Sequence, residues 1–280
     1  MPEAEQGDTI RRILVALDAS PHSLAALQAA VELAAQLGAQ VEGLFVEDIN
    51  LLKLSDLPMA RELVVYATHP RQLDRKRMAE QLQLQARMAR KALEEVAEKA
   101  QVHWNFRVAR GVIAAELLAA AEEMDLILLG RTGWSNRRRL GSTTLAVASQ
   151  AGSHTLIIQR GAHLGLPVGI VYDGSIHARR AFITAVDLLR QRDGYLVIII
   201  KAEDLKSARQ LQTEITDWVR ERNVQSHYRW LVGEDMSGLT TLIDEEGCGI
   251  LVLPAEVESL QGENLKLVLD QVQCPVLLVH

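Results

Sequence analysis

Between residues 130 and 143 the chain carries three glycines and four arginines, arranged as Gly130-Arg131-Thr132-Gly133, Arg137-Arg138-Arg139 and Gly141-Ser142-Thr143. A segment of this kind is suited to holding an anion. Glycines let the backbone approach a phosphate closely and take φ > 0. Gly141-Ser142 opens a helical stretch, where unpaired N–H groups and the positive end of the helix dipole favour negative charge. Ser142 and Thr143 add hydroxyl donors, and Arg131, Arg137, Arg138 and Arg139 surround the same loop with positive charge. A charge run such as Arg137–Arg139 is ordinarily a solvated face; its position beside the glycines also makes it a candidate phosphate contact. The other residue of interest is Asp18, which follows the apolar run 12–17. A strand-ending Asp either meets a ligand or makes a turn with nearby backbone.

The elements that must position these residues follow from apolar periodicity. Short apolar runs alternate with helical-period segments along the whole chain, the pattern of βαβ units and a parallel sheet. Strands are expected at 12–17, 40–46, 103–108, 125–129 and 154–159. Ser20-Pro21 is expected to start a helix that stops near Gly38, with Ser as N-cap and Pro in the first turn. Further helices are expected at 72–100, 114–123 and 143–151, with an irregular connection over 49–72. In a sheet of this type a ligand binds beyond the carboxyl ends of the strands, where the strand order reverses. Asp18 and the glycine loop both fall at such ends.

The pattern then repeats. A shift of 155 positions places Asp18 on Asp173, Ser20 on Ser175, His22 on His177, Ala26 on Ala181 and Leu33 on Leu188. The period is too long for a solenoid repeat and fits a duplicated domain. The expected units are 1–160, which carries the glycine loop, and 167–280. The fold class is α/β, as two tandem domains built on parallel sheets. His22 and His177 recur in a first helical turn, where a histidine is ordinarily surface polar.

Bulk properties exclude several classes. The chain has 280 residues, 48% apolar residues and a net charge of −6, a profile that suits packed domains and not a nucleic-acid clamp. No apolar run approaches the roughly 20 residues that span a bilayer, and the acidic leader 1–9 lacks the features of a secretory signal. Cytoplasmic localisation is therefore expected, with neither membrane nor nucleic acid as a partner. Histidines, cysteines and carboxylates show no metal-ligand spacing, so no metal site is expected. Nor is there a Walker-type loop, a dinucleotide fingerprint or a nucleophile elbow, and no catalytic residue is assigned.

Three features together resemble the universal stress protein family: the strand ending in Asp18-Ala19-Ser20 that leads into a helix, the strand ending in Phe45-Val46-Glu47-Asp48, and Gly130-Arg131-Thr132-Gly133 followed by Gly141-Ser142, a short helix and a hydrophobic strand. Cys274-Pro275-Val276-Leu277-Leu278-Val279 is similar to the family's closing strand. The resemblance implies two tandem doubly wound domains with five-stranded parallel sheets, which meet through their last strands, and an adenine-nucleotide site. It places Asp18 and Val46 at the adenine end, Leu129 beside the base, and Gly130, Gly133, Gly141, Ser142 and Thr143 around ribose and phosphates. The loop departs from the family pattern, with seven residues (134–140) between its second and third glycines where the family has nine. The resemblance also sets Cys248 and Cys274 before neighbouring strands, and in a cytosolic chain they are expected to be reduced, buried thiols.

Opposite the glycine loop the second half has Pro254-Ala255-Glu256-Val257-Glu258, whose carboxylates would repel a polyphosphate. The expected function is a stress-response regulatory protein that binds ATP or a related adenine nucleotide, with or without magnesium, in its first domain only. Its second domain would be a degenerate dimerisation partner. Expected partners are the chain itself, as an intrachain pseudo-dimer or a homodimer of chains, and a regulatory protein of unknown identity. Two alternatives stay open, a nucleotide-free interaction scaffold and a weak ATPase.

Overall fold

The computed structural model describes residues 10–55, 61–62, 71–72, 74–133, 140–189, 193–233, 237–257 and 262–280. In the first half, β1 (Arg12–Ala16), α1 (Pro21–Leu37), β2 (Gln40–Asp48), α2 (Ile49–Ser55), β3 (Arg61–Glu62) and β4 (Arg71–Gln72) precede α3 (Arg75–Lys99), β5 (Trp104–Gly111), α4 (Ile113–Ala121), β6 (Leu126–Gly130), α5 (Ser142–Gln150) and β7 (His154–Ile158). The second half comprises β8 (Val168–Tyr172), α6 (Ile176–Leu189), β9 (Leu196–Ala202), α7 (Leu205–Glu221), β10 (Ser226–Val232), α8 (Ser237–Glu245), β11 (Ile250–Pro254), α9 (Gly262–Gln271) and β12 (Val276–Val279).

Local chemistry explains most boundaries. Ser20 caps α1 by accepting from the N–H of Ser23, Pro21 occupies the first turn, and Gly38 ends the helix at a left-handed φ of 66°. Asp74 and Asp204 cap α3 and α7 in the same way. One expectation needs correction: the connection over 49–72 holds α2, a helix the apolar pattern does not announce. Its Leu51 and Leu54 are exposed and Leu52 is buried, so no helical stripe is visible there.

Ten strands form one sheet in the order β10-β9-β8-β11-β12-β7-β6-β1-β2-β5. Within this sheet the pairs of each half are parallel, and β7 and β12 meet antiparallel with Leu156 opposite Leu277; β3 and β4 form a separate antiparallel pair. An approximate two-fold axis passes through this junction. Arg131 N–H donates to Ile158 O at 2.7 Å, and Ala255 N–H donates to Val279 O at 2.9 Å. The fold is therefore α/β with a mostly parallel sheet.

Strand alternation divides the core between the two faces. Ile13 and Val15 pack with α1 and α3 on one face, in a cluster that continues through Leu156, Ile158 and Leu277 into α6 and α7. Leu14, Leu44, Ile127 and Leu129 pack with α4 and α5 on the other. The edge strands β5 and β10 carry charge, including the Arg107–Glu42 pair at 3.2 Å and an Arg229–Glu246 pair, which opposes edge-to-edge association. Among the described residues no helix is long and apolar enough to cross a membrane.

Candidate functional site

In the first half the order reverses between β1, which runs on to β2 on one side, and β6 on the other. A cleft of about 270 Å³ opens beyond their carboxyl ends, near the lower end of the range for small-molecule sites. Asp18, Val46 and Leu129 line its inner part, and Gly130, Gly133, Gly141, Ser142 and Thr143 its outer part. The eight residues that the resemblance places around the nucleotide thus share one cavity. Residues 134–139, including Arg137, Arg138 and Arg139, lie outside the described residues.

The inner wall is built from a turn. Asp18 Oδ1 accepts the N–H of Ser20 at 2.9 Å, and Ala19 takes a left-handed φ of 58°. Asp173 makes the same bond to Ser175 N–H at 2.9 Å, so the turn is common to both halves and part of the role of Asp18 is structural. In the first half Asp18 Oδ2 would also lie 2.9 Å from a Cβ at Gly133, which brings the carboxylate against the loop. Gly130 is required by packing, since a Cβ there would stand 2.8 Å from the His22 carbonyl carbon. Ile113 and Leu117 of α4 form an apolar side; sequence reading missed them because nothing local ties α4 to the loop.

At the outer end the N-cap of α5 is Gly141, and among the described residues no side-chain hydrogen bond caps its first turn. Its backbone N–H donors and the Ser142 and Thr143 hydroxyls border the cleft, an arrangement that suits an anion. Thr144 is committed elsewhere, donating to Gly130 O at 2.9 Å. Gly141 N–H donates to Arg131 O at 2.9 Å, which closes the loop on itself. Among the described residues of the lining, no lysine or arginine is present.

Arg131 corrects the expectation of a phosphate contact. Its guanidinium is turned into the boundary between the halves, where it donates to Gln159 Oε1 at 2.8 Å, to Val272 O at 3.0 Å and to Asp270 O. The side chain is buried, and burial lowers its pKa while Asp270 opposes that shift. Those carbonyls belong to the C-terminal end of α9, which carries unpaired acceptors and partial negative charge. Leu140 N–H donates to Asp270 Oδ1 at 2.7 Å, so residues on both sides of 134–139 are tied to α9.

His22 is not merely a surface group. Its Nδ1 accepts the N–H of Arg160 at 3.1 Å. Burial lowers its pKa, Asp18 raises it, and Arg160 and Arg131 lower it further, so the ring is neutral near pH 7, as an acceptor nitrogen requires. In the second half His177 lies 3.4 Å from the Glu256 carboxylate, and Glu214 holds both Tyr172 and Arg179. Cys248 and Cys274 are free thiols. Each is pushed up to about 12, by burial first; Cys248 adds to the rise at Cys274 and Glu246 to that at Cys248. Among the described residues no group of three His, Cys, Asp or Glu is placed to hold a metal ion.

A family model described as "Universal stress protein family" matches residues 9–159, more than half of the 280-residue chain. The chain belongs to the universal stress protein family. A universal stress protein from Archaeoglobus fulgidus DSM 4304 has 17% identity and a TM-score of 0.74, over 96% of this chain and 97% of its own. A functionally unknown protein from Pseudomonas aeruginosa PAO1 has 14% identity and a TM-score of 0.60, over 96% of this chain and 92% of its own. At these identities the likeness shows the fold. A universal stress protein in complex with cAMP matches 55% of this chain and 100% of its own at 20% identity and a TM-score of 0.38, a likeness too partial to bear on the ligand here. No curated protein matches the sequence.

Proposed function

We propose that this universal stress protein binds ATP or a related adenine nucleotide in the first-half cleft and uses it as a structural or signalling ligand in stress regulation. The observation that carries the reading is the meeting of an apolar pocket with the uncapped first turn of α5 in one cavity at the strand-order reversal. The base enters between Val46, Leu129 and Leu117, with Asp18 to accept a hydrogen bond. Phosphates lie against the Gly141-Ser142-Thr143 turn. Asp18 is the one carboxylate among the described lining residues, and its Oδ1 already accepts from Ser20; magnesium would therefore be held through the phosphates.

The second half serves as the pairing partner, and carboxylates such as Glu256 stand where the first half has its glycine loop. Mass spectrometry of the small molecule released from purified, heat-denatured protein tests this reading. An adenine nucleotide supports it. Preparations that release none and take up none on addition of ATP, ADP or AMP favour a nucleotide-free scaffold.

A further inference from the structure

The two-fold correspondence at the β7–β12 junction sets Arg131 against Ala255, and with them Gln159 against His280. It also sets the end of α9 against the end of α5, where Val272 N–H and Ala151 N–H each donate to the residue four earlier at 2.9 Å. On the α9 side the space between the halves is filled by the Arg131 guanidinium, held by Gln159 Oε1, Val272 O and Asp270 O. On the α5 side Ala255 ends at a methyl group. A cavity of about 670 Å³ lies at the end of α5, with Glu122, Asp125, Gln150, Ser153, His154 and His280, the counterpart of Gln159, in its walls.

We propose that this cavity binds a small guanidinium compound, held at the end of α5 as the Arg131 side chain is held at the end of α9. Among the described residues the lining contains two carboxylates, Glu122 and Asp125, and neither lysine nor arginine. Asp125 is fixed in place, its Oδ2 accepting the N–H groups of Arg11 and Arg12 at 2.8 Å each. The last turn of α5 directs carbonyl oxygens and partial negative charge toward the same space. Ser153 Oγ and His280 Nε2 are buried with no hydrogen-bond partner among the described residues. Burial, then His154, lowers the His280 pKa against the smaller opposing effect of Glu256, so its ring does not repel a cation at neutral pH. A guanidinium group matches several fixed acceptors better than an ammonium does, because it is planar, weakly hydrated and carries its donors in a rigid fork. The volume suits a metabolite-sized molecule.

Calorimetric titration of the full chain with agmatine, and with putrescine as the ammonium counterpart, tests the assignment. One equivalent of agmatine is expected, bound about tenfold or more tightly than putrescine, the scale of a charge-assisted hydrogen bond. Ala255→Arg places a tethered guanidinium in the cavity and should abolish binding, whereas Arg131→Ala should open the matching space and raise the count to two. If Ala255→Arg does not fold, Glu122→Gln at an exposed position serves, with an expected loss of about tenfold. Absence of agmatine binding to the wild type overturns the proposal. So does equal affinity for putrescine, affinity unchanged in folded Ala255→Arg or Glu122→Gln, or a single equivalent in folded Arg131→Ala.

Discussion

Two glycines of the loop serve different ends, and substitution separates them. A Cβ at Gly130 would meet backbone and side-chain atoms of His22 at 2.8 and 2.9 Å. Gly130→Ala should therefore destabilise the fold by about 1–3 kcal/mol, the usual scale of overpacking, seen as a lower midpoint in denaturant. Gly141 has an ordinary extended backbone (φ −66°, ψ 143°), and the nearest atom to an added Cβ is Thr144 Oγ1 at 3.4 Å. Gly141→Val should keep the fold and lower ATP affinity at least about tenfold by crowding the first turn of α5; unchanged affinity would remove that turn from the site. His22 makes a pH prediction. Its folded pKa lies below the unfolded 6.5, so the unfolded chain takes up more protons as pH falls, and the stability held above about 6.5 is lost toward the folded pKa. His280 shifts in the same direction. His22→Gln retains an acceptor for Arg160 N–H without titrating, so the fall in Tm between pH 7.5 and 5.5 should become shallower; an identical slope would mean that His22 contributes nothing to it.

At the scale of elements, α9 belongs to the second half and yet holds the glycine loop of the first through Asp270. Asp270→Ala removes the acceptor of Leu140 N–H at 2.7 Å. It should weaken ATP several-fold and adenosine little, since the loop borders the phosphate end. Equal losses for both ligands would show that the contact supports only the fold. This link also marks where sequence reading stops. The alternation of strands and helices, the Ser20-Pro21 start, the Gly38 stop and the anion-binding character of the glycine loop follow from local patterns, whereas the places of Val46 and Leu129 come from the family resemblance; the structure gathers all eight cleft residues in one cavity. The direction of Arg131 depends on acceptors 139 and 141 residues away, and an arginine beside a glycine loop reads locally as a phosphate ligand. α2 escaped for a related reason, because one buried leucine between two exposed ones has no period.

For the whole molecule, the core on one sheet face runs unbroken across the β7–β12 junction, so the halves should unfold together. Leu156 and Leu277 face each other there at 1% and 3% exposure. Leu277→Asp buries a charge without a partner and should lower the Tm of the entire chain in a single calorimetric transition; two transitions, with only the second half displaced, would contradict a shared core. The continuity of the sheet contrasts with the asymmetry of the sites, in which one half has a glycine loop and an uncapped α5 and the other has Pro254, Ala255 and Glu256 at the corresponding positions. Calorimetric titration of the intact chain with ATP, ADP and AMP tests that asymmetry most directly. One equivalent per chain is predicted, abolished by Gly141→Val and untouched by Glu256→Gln. Two equivalents, or none with any of the three nucleotides, would contradict a single nucleotide site in the first half.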